Sequence, residues 1–172
     1  VFLASRQTFA TNDAMSKVQE NGRFALDFIA RSARQAGYLT PGSPLDRPTP
    51  ALQTACGKGS GATGAGTSNP CSEDRAFTEG DVVSFSFEPP IIDGDRRDCV
   101  GKAIAANNVI VNTFFILPGT VSNPSPSLAC KSWNLTTNAV ESPTQRLIDG
   151  VEALQVQYGI DQGGQSSSAN QF

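Results

Sequence analysis

The first 37 residues constrain the fold more than any other segment of the chain. They contain no proline, and Gly22 is the only glycine before Gly37. A stretch this long without helix breakers predicts one helix that ends at Gly37, a suitable C-terminal cap, and before Pro41. At about 1.5 Å per residue this helix would span ~55 Å, roughly three times the mean length of a globular helix. Since a small domain cannot cover so long a helix, we expect part of it to protrude.

One side of the predicted helix carries an apolar stripe, in which apolar or small residues recur at steps of three and four. Leu26 and Ala33 widen the stripe. We expect its C-terminal half to pack within the domain and its N-terminal half to offer apolar surface to a partner helix. The stripe consists of Met15, Val18, Gly22, Ala25, Ile29, Ser32 and Ala36. The predicted packing and interface residues are Phe2, Phe9, Met15, Val18, Gly22, Ala25 and Ile29.

Residues 38–80 differ sharply, because they are rich in Gly, Pro, Ser and Thr and hold few large apolar side chains. Such a composition predicts an irregular region with a floppy glycine loop. Gly59, Gly61 and Gly64 spell out the G-x-G-x-x-G of dinucleotide sites. The motif should follow a buried strand and open a helix, whereas here it follows polar residues and runs into Asn69-Pro70. The sequence therefore predicts a loop and no nucleotide site.

Strand patterns begin at residue 81. Within 81–87, Val83, Phe85 and Phe87 share one face. Residues 108–117 are apolar on both faces, which is typical of a central strand covered on both sides.

Two weaker strand signals follow. Residues 127–131 fit a short strand. Residues 154–160 alternate as a further strand, after a turn signal at Asp149-Gly150.

A helix followed by a run of strands predicts an α+β domain, with the long helix packed on an antiparallel sheet and with long irregular loops. We expect a single domain, since 172 residues are enough for one sizeable core. Its predicted parts are the helix at 1–37, the irregular region at 38–80, the sheet head at 81–161 and a polar tail at 162–172.

The chain has no histidine, which removes the commonest general base and the commonest zinc ligand. No catalytic constellation is visible, so we expect a protein that is not an enzyme and needs no cofactor or metal. The formal net charge of −3 gives no reason to bind nucleic acid. The acidic run 93–98 lacks calcium-loop spacing and contains Arg96 and Arg97, which favours a solvated hairpin turn over a calcium site.

The four cysteines are Cys56, Cys71, Cys99 and Cys130, and none of their spacings suits a zinc site or a redox motif. An even number at wide spacing favours two disulfides over free buried thiols, and hence an oxidising compartment. Of the three possible pairings we favour Cys99–Cys130, which brackets the strand at 108–117, and Cys56–Cys71, which closes the glycine loop.

The order of elements resembles the type IV pilin fold, and the local sequence narrows the resemblance. Residues 15–25 (MSKVQENGRFA), followed by Ile29-Ala30-Arg31 and Gln35-Ala36-Gly37-Tyr38, are similar to the helix signature of the PilW family of minor pilins. The sheet blocks similar to that family are 81–87, 98–101, 108–117, 128–130 and 147–161.

The resemblance implies a structural minor pilin of the type IV pilus, part of the tip and priming complex that initiates pilus assembly and supports the tip adhesin. Its implied partners are other minor pilins, the tip adhesin, the major pilin and the inner-membrane assembly machinery. Its implied location is the inner membrane, with the head in the periplasm, and the pilus tip at the cell surface. These are places associated with adhesion and twitching motility.

The resemblance also implies segments outside this chain. A prepilin leader and a hydrophobic first half of the helix, which anchors the protein in the membrane, would precede Val1. The apolar start Val1–Ala4 fits the tail of such a segment, or an ordinary helix start. Further sheet strands are expected after the block near Tyr158.

Two alternatives stay open at this point. A minor pseudopilin of a type II secretion system would share the fold and the logic of assembly. An adhesive or ligand-binding module would use its polar loop at 56–71 as a contact surface.

Overall fold

The computed structural model describes residues 2–46, 71–76 and 78–157, with the side chains of 2–5 and 10 excepted. The described elements are α1 (Phe2–Gln35), β1 (Val83–Phe87), β2 (Ile110–Leu117), β3 (Ser127–Asn134) and β4 (Ala139–Asp149). One long helix followed by antiparallel strands confirms the α+β class. The glycine loop, Cys56, residues 158–161 and the polar tail lie outside the described residues.

Helix α1 is 34 residues long, ~51 Å at about 1.5 Å per residue. It ends as the sequence predicts, with Gly37 in the left-handed region at a φ of 75°. The Gly37 N–H donates to the Ser86 carbonyl at 2.8 Å, and the Glu88 N–H donates to the Tyr38 carbonyl at 2.9 Å. The end of the helix is thereby fixed to β1.

The sheet has the strand order β1-β2-β3-β4, and each strand is antiparallel to its neighbours. The predicted central strand is confirmed, since β2 lies between β1 and β3 and is buried along nearly its whole length. Phe114 marks the register, because it lies opposite Val83 on one side and Cys130 on the other.

The main core lies between α1 and the helix-facing side of the sheet. Ala25 and Ile29 supply the helix side of this core. Full burial of a Val, Leu, Ile or Phe side chain contributes about 1.5–3 kcal/mol to folding. The buried sheet members are Val83, Phe85, Phe114, Ile116, Leu128 and Cys130.

The opposite face of the sheet is also buried, although it is more polar. The Ser84 and Thr113 hydroxyls hydrogen-bond across β1 and β2 at 2.8 Å. Lys131, which lies opposite Thr113, is only 9% exposed, and burial lowers the pKa of its ammonium. This mixture of buried polar and apolar residues explains why β3 does not show a simple alternation of apolar and polar residues.

Strand β4 was not predicted from the sequence. Its eleven residues show mixed exposure and contain Pro143, which a central strand would not tolerate. As the end of the described sheet β4 accommodates Pro143, and the register with β3 shifts between Cys130 and Ser132. Strand β3 also runs to Asn134, past the predicted limit at residue 131.

The strand predicted at 154–160 is wrong for residues 154–157, which form no strand. This segment is held by Asp81 instead. The Asp81 N–H donates to the Leu154 carbonyl at 2.7 Å, and the Asp81 carboxylate accepts from the Val156 N–H at 2.7 Å. The Val156 N–H is thus bonded to a side chain and not to the backbone of a neighbouring strand. The pattern of backbone hydrogen bonds that defines a β-strand therefore does not continue here.

Candidate interaction surface

Among the described residues, helix α1 contacts the head through its second half. The Asn21 amide donates to the Asp149 carbonyl at 2.9 Å, at the end of β4. Farther along, the Asn112 amide of β2 donates to the Ser32 hydroxyl at 3.2 Å, and both residues are buried. The contact between helix and sheet therefore runs from about Asn21 to the end of the helix.

The first half of α1 extends beyond this contact. Every described side chain from residue 6 to residue 20 is exposed. Three of them are large and apolar, since Phe9 is 73%, Met15 60% and Val18 70% exposed. Large apolar groups at these exposures on one helix mark an interaction surface.

The predicted interface residues divide into groups by position on the helix. Ala25 is buried and Ile29 half-buried in the core, whereas Met15, Val18 and Gly22 are exposed. At 100° per residue these three lie within about 60° of the direction that Ala25 and Ile29 define, so they continue the same stripe past the edge of the head. We call Met15, Val18 and Gly22 the free stripe.

Phe9 does not belong to the free stripe. It lies about 180° around the helix from Val18, counting 100° per residue. Phe2 begins α1, and its side chain lies outside the described residues. The exposed half of the helix therefore presents apolar groups on two sides, so it can contact neighbours from two directions.

The expected widening of the stripe by Leu26 and Ala33 is wrong. Leu26 is 68% exposed and Ala33 is also exposed. The sheet covers a narrow strip of the helix, centred on small side chains such as Ala25 and Ser32, and these two residues lie outside the covered strip.

A second apolar area lies beside the helix and was missed from the sequence. Ile91 and Ile92 are both more than half exposed, just before the turn at Asp93-Gly94. Between this turn and Phe28 of α1 lies a cleft of about 470 Å³. The sequence does contain a sign of this area, namely two isoleucines directly before a turn. Apolar side chains at an exposed turn do not contribute to the core, so their presence there indicates a contact surface.

The turn itself confirms the hairpin interpretation of the acidic run. The Ile92 and Asp95 backbones exchange hydrogen bonds of 2.9 Å and 3.1 Å. Within the described ranges no group of three or more metal-ligating side chains comes together.

A buried ion pair holds the base of this hairpin against the end of α1. The Arg96 guanidinium lies 3.5 Å from the fully buried Glu88 carboxylate and donates to the Thr40 hydroxyl at 3.0 Å. Burial raises the pKa of Glu88, but hydrogen bonds from Thr40 and Ser43 and the charge of Arg96 outweigh it. The net effect is a pKa below the ordinary value, so the carboxylate stays charged in the folded protein.

A disulfide joins Cys99 to Cys130, with their Cα atoms 6.4 Å apart. The first predicted pairing is therefore confirmed. It ties the loop after the acidic hairpin to β3, beside the core. Cys71 is buried and also disulfide-bonded. Since Cys56 lies outside the described residues, the pairing of Cys56 with Cys71 stays a prediction.

The sheet that supports the helix also carries a family signature. Residues 113–172 match the model of PilW, the type IV pilus-assembly protein W. The match starts inside β2, includes β3 and β4, and covers about a third of the chain. It confirms the PilW resemblance for this part of the sequence. Comparison with curated proteins and with solved structures found no match.

The PilW match indicates a role in type IV pilus assembly and an association with the cell envelope. The family is structural rather than catalytic, which agrees with the lack of histidine. Among the helices of the described ranges, none has the length and hydrophobicity needed to cross a membrane.

Proposed function

We propose that this chain is the head and part of the helix of a structural minor pilin with a type IV pilin-like fold. The observation that carries the proposal is the division of α1 into a packed half and an exposed half. Its second half packs on a sheet whose residues from 113 onward match PilW, and its first half is exposed along the same apolar stripe. A structural subunit needs such a surface for its neighbours, whereas a self-contained binding domain does not.

In this function the free stripe packs against helices of neighbouring pilus subunits. The full-length protein is held in the inner membrane by a hydrophobic segment before Val1, with its head in the periplasm. It then joins the tip complex with other minor pilins, primes assembly with the inner-membrane machinery and supports the tip adhesin. Adhesion and twitching motility depend on it through the pilus.

The spacing of the stripe also supports a helix as the partner. Met15, Val18 and Gly22 are spaced by three and four residues, which suits ridges-into-grooves packing. The small Gly22 has open space around it, since a Cβ added there would meet no atom within 4 Å beyond the adjoining turns of the helix. A neighbouring helix can therefore approach closely at this point.

Complementation of a deletion strain tests the proposal. Val18→Asp places a charge on the free stripe. Ser16→Asp places the same charge two residues away, at about 160° around the helix from Val18 by 100° per residue. Both positions are exposed, so neither change disturbs the head.

We expect Ser16→Asp to restore surface pili and Val18→Asp to reduce them at equal protein level. Normal piliation in the deletion strain would refute a role in the pilus. Loss of type II secretion with normal piliation would favour a pseudopilin. Loss of surface attachment alone, with normal piliation, would favour an adhesive module.

A further inference from the structure

Three side chains that are distant in sequence meet at the far end of the sheet. They are Lys102, in the loop after the disulfide, Asn134, the last residue of β3, and Glu141, in β4. The Lys102 Nζ lies 2.6 Å from Glu141 Oε1, and the Asn134 Nδ2 donates to Glu141 Oε2 at 2.9 Å. One carboxylate therefore bridges an amine and a side-chain amide.

The Asn134 amide is buried and is held by a local Asx turn. It is 4% exposed, and its Oδ1 accepts two backbone N–H groups, from Thr136 at 3.0 Å and Thr137 at 3.1 Å. Two backbone donors on one carbonyl oxygen form the arrangement that stabilises the oxyanion of an acyl-transfer intermediate. The Asn134 Nδ2 also donates to Asn108 Oδ1 at 3.0 Å, which fixes the orientation of the amide.

Lys102 is more exposed than Asn134, but several hydrogen bonds hold it. Its Nζ donates to the Glu141 main-chain carbonyl at 2.7 Å in addition to the carboxylate. Its own N–H donates to Asp98 Oδ1 at 2.9 Å, and Cys99 of the same loop is bonded to Cys130 of β3. The loop that carries the amine and the strand that carries the amide are thus already joined.

We propose that Lys102 and Asn134 form an intramolecular isopeptide bond, with Glu141 as the proton carrier. Glu141 takes a proton from the Lys102 ammonium, and the resulting amine attacks the Asn134 Cγ. The negative charge that develops on Oδ1 is stabilised by the Thr136 and Thr137 N–H groups. Glu141 then gives its proton to Nδ2, the Cγ–Nδ2 bond breaks, and ammonia leaves. The new Nζ–Cγ bond remains, and Glu141 passes the second proton of Nζ to the ammonia, which departs as an ammonium ion.

The atoms and charges balance without a further reactant. One lysine ammonium and one asparagine amide become one secondary amide and one ammonium ion. No oxidant, reductant or nucleotide takes part, so the reaction can proceed in any compartment in which the domain folds.

The protonation states of Lys102 and Glu141 determine the rate of the reaction. Hydrogen bonds from Lys102 and then from Asn134 lower the pKa of Glu141, so the resting state is the ion pair and the neutral amine is rare. Lys102 is also about half exposed, with its side chain at 51%. However, the reaction needs to occur only once per molecule, and Glu141 holds the amine and the amide next to each other through its two carboxylate oxygens. We therefore expect slow cross-linking after folding.

The isopeptide bond would add a second covalent cross-link beside the Cys99–Cys130 disulfide. The Cys99–Cys130 disulfide spans 31 residues between the same loop and the same strand. An amide clamp next to it would survive reducing conditions, which suits a domain exposed to mechanical load. The cross-link does not depend on the assembly role proposed above, and its test does not measure assembly.

The intact mass of the purified chain tests the proposal. After reduction of the disulfides, the incubated wild-type protein should weigh one ammonia less than its sequence. Trypsin does not cut after an acylated lysine, so the digest should contain residues 98–131 joined to 132–146 as one branched peptide.

Lys102→Arg is the matched control, because arginine keeps the charge and the contact with Glu141. It should retain its full sequence mass after the same incubation, and Glu141→Gln should do the same. A wild-type protein that stays at full mass throughout a prolonged incubation would overturn the proposal. So would equal loss of ammonia from Lys102→Arg, because that result identifies a succinimide at an asparagine. Cross-linking of Glu141→Gln at the wild-type rate would overturn the role of Glu141.

Discussion

Asn112 of β2 connects helix α1 with the loop at Cys99. Its replacement should reveal how strongly the stability of the head depends on this connection. Asn112 lies in the central strand and is 2% exposed. Its Nδ2 donates to Ser32 of α1 at 3.2 Å, and its Oδ1 accepts from the Cys99 N–H at 3.3 Å. Asn112→Ala removes both bonds and leaves two polar groups without these partners. At about 1–2 kcal/mol for each group, we expect a loss of about 2–4 kcal/mol in the free energy of unfolding.

Urea unfolding measures this loss. Trp133 is the single tryptophan and is buried on the sheet, so its fluorescence reports unfolding of the head. The midpoint should fall while the slope with denaturant stays constant. Asn12→Ala removes the same residue type at an exposed helix position and should change stability by less than about 0.5 kcal/mol.

A double-mutant cycle separates the helix contact from the loop contact. Ser32→Ala alone should cost about 1 kcal/mol, and its effect should largely vanish in the presence of Asn112→Ala. Additive effects of the two changes, or an Asn112→Ala variant as stable as Asn12→Ala, would refute the reasoning that this side chain couples helix, strand and loop.

Two further changes test the stability of the head. Replacing Cys99 and Cys130 together by serine should cost about 3–4 kcal/mol, because the bond closes a loop of 31 residues; a urea midpoint equal to that of the wild type would contradict this. The folded-state pKa of Glu88 lies below its ordinary value, so its contribution is complete above the unfolded pKa and is lost as pH falls through the folded pKa. Urea midpoints measured from about pH 7 to about pH 3 should therefore fall less steeply in Glu88→Gln than in the wild type; equal slopes would show that this carboxylate does not contribute.

The features that could be predicted from sequence are those carried by continuous local patterns. The absence of proline before Gly37 predicted α1 to within two residues of its end, and the apolar run at 108–117 predicted the central strand. The Cys99–Cys130 bond followed from its position around that strand. Each of these signals depends on residues that are close together in the sequence.

The features that were missed depend on contacts between distant segments. Strand β4 lacks apolar alternation because it lies at the end of the described sheet, so its pairing with β3 leaves little trace in its own sequence. In the sequence, Asn112 is simply a polar residue in a largely apolar strand. Its role becomes visible once the fold places Ser32 within hydrogen-bonding distance. The meeting of Lys102, Asn134 and Glu141 likewise depends on the register of β3 and β4.

The most direct test of the assembly role places a photoreactive amino acid in α1 of the full-length protein in cells. At position 18 it lies on the free stripe, and at position 16 it lies on the far side of the same exposed turn. We expect irradiation to join position 18, and not position 16, to identified subunits of the type IV pilus. Equal cross-linking from both positions, or no pilus subunit joined to position 18, would contradict the claim that the stripe continues from the core into a pilin–pilin contact.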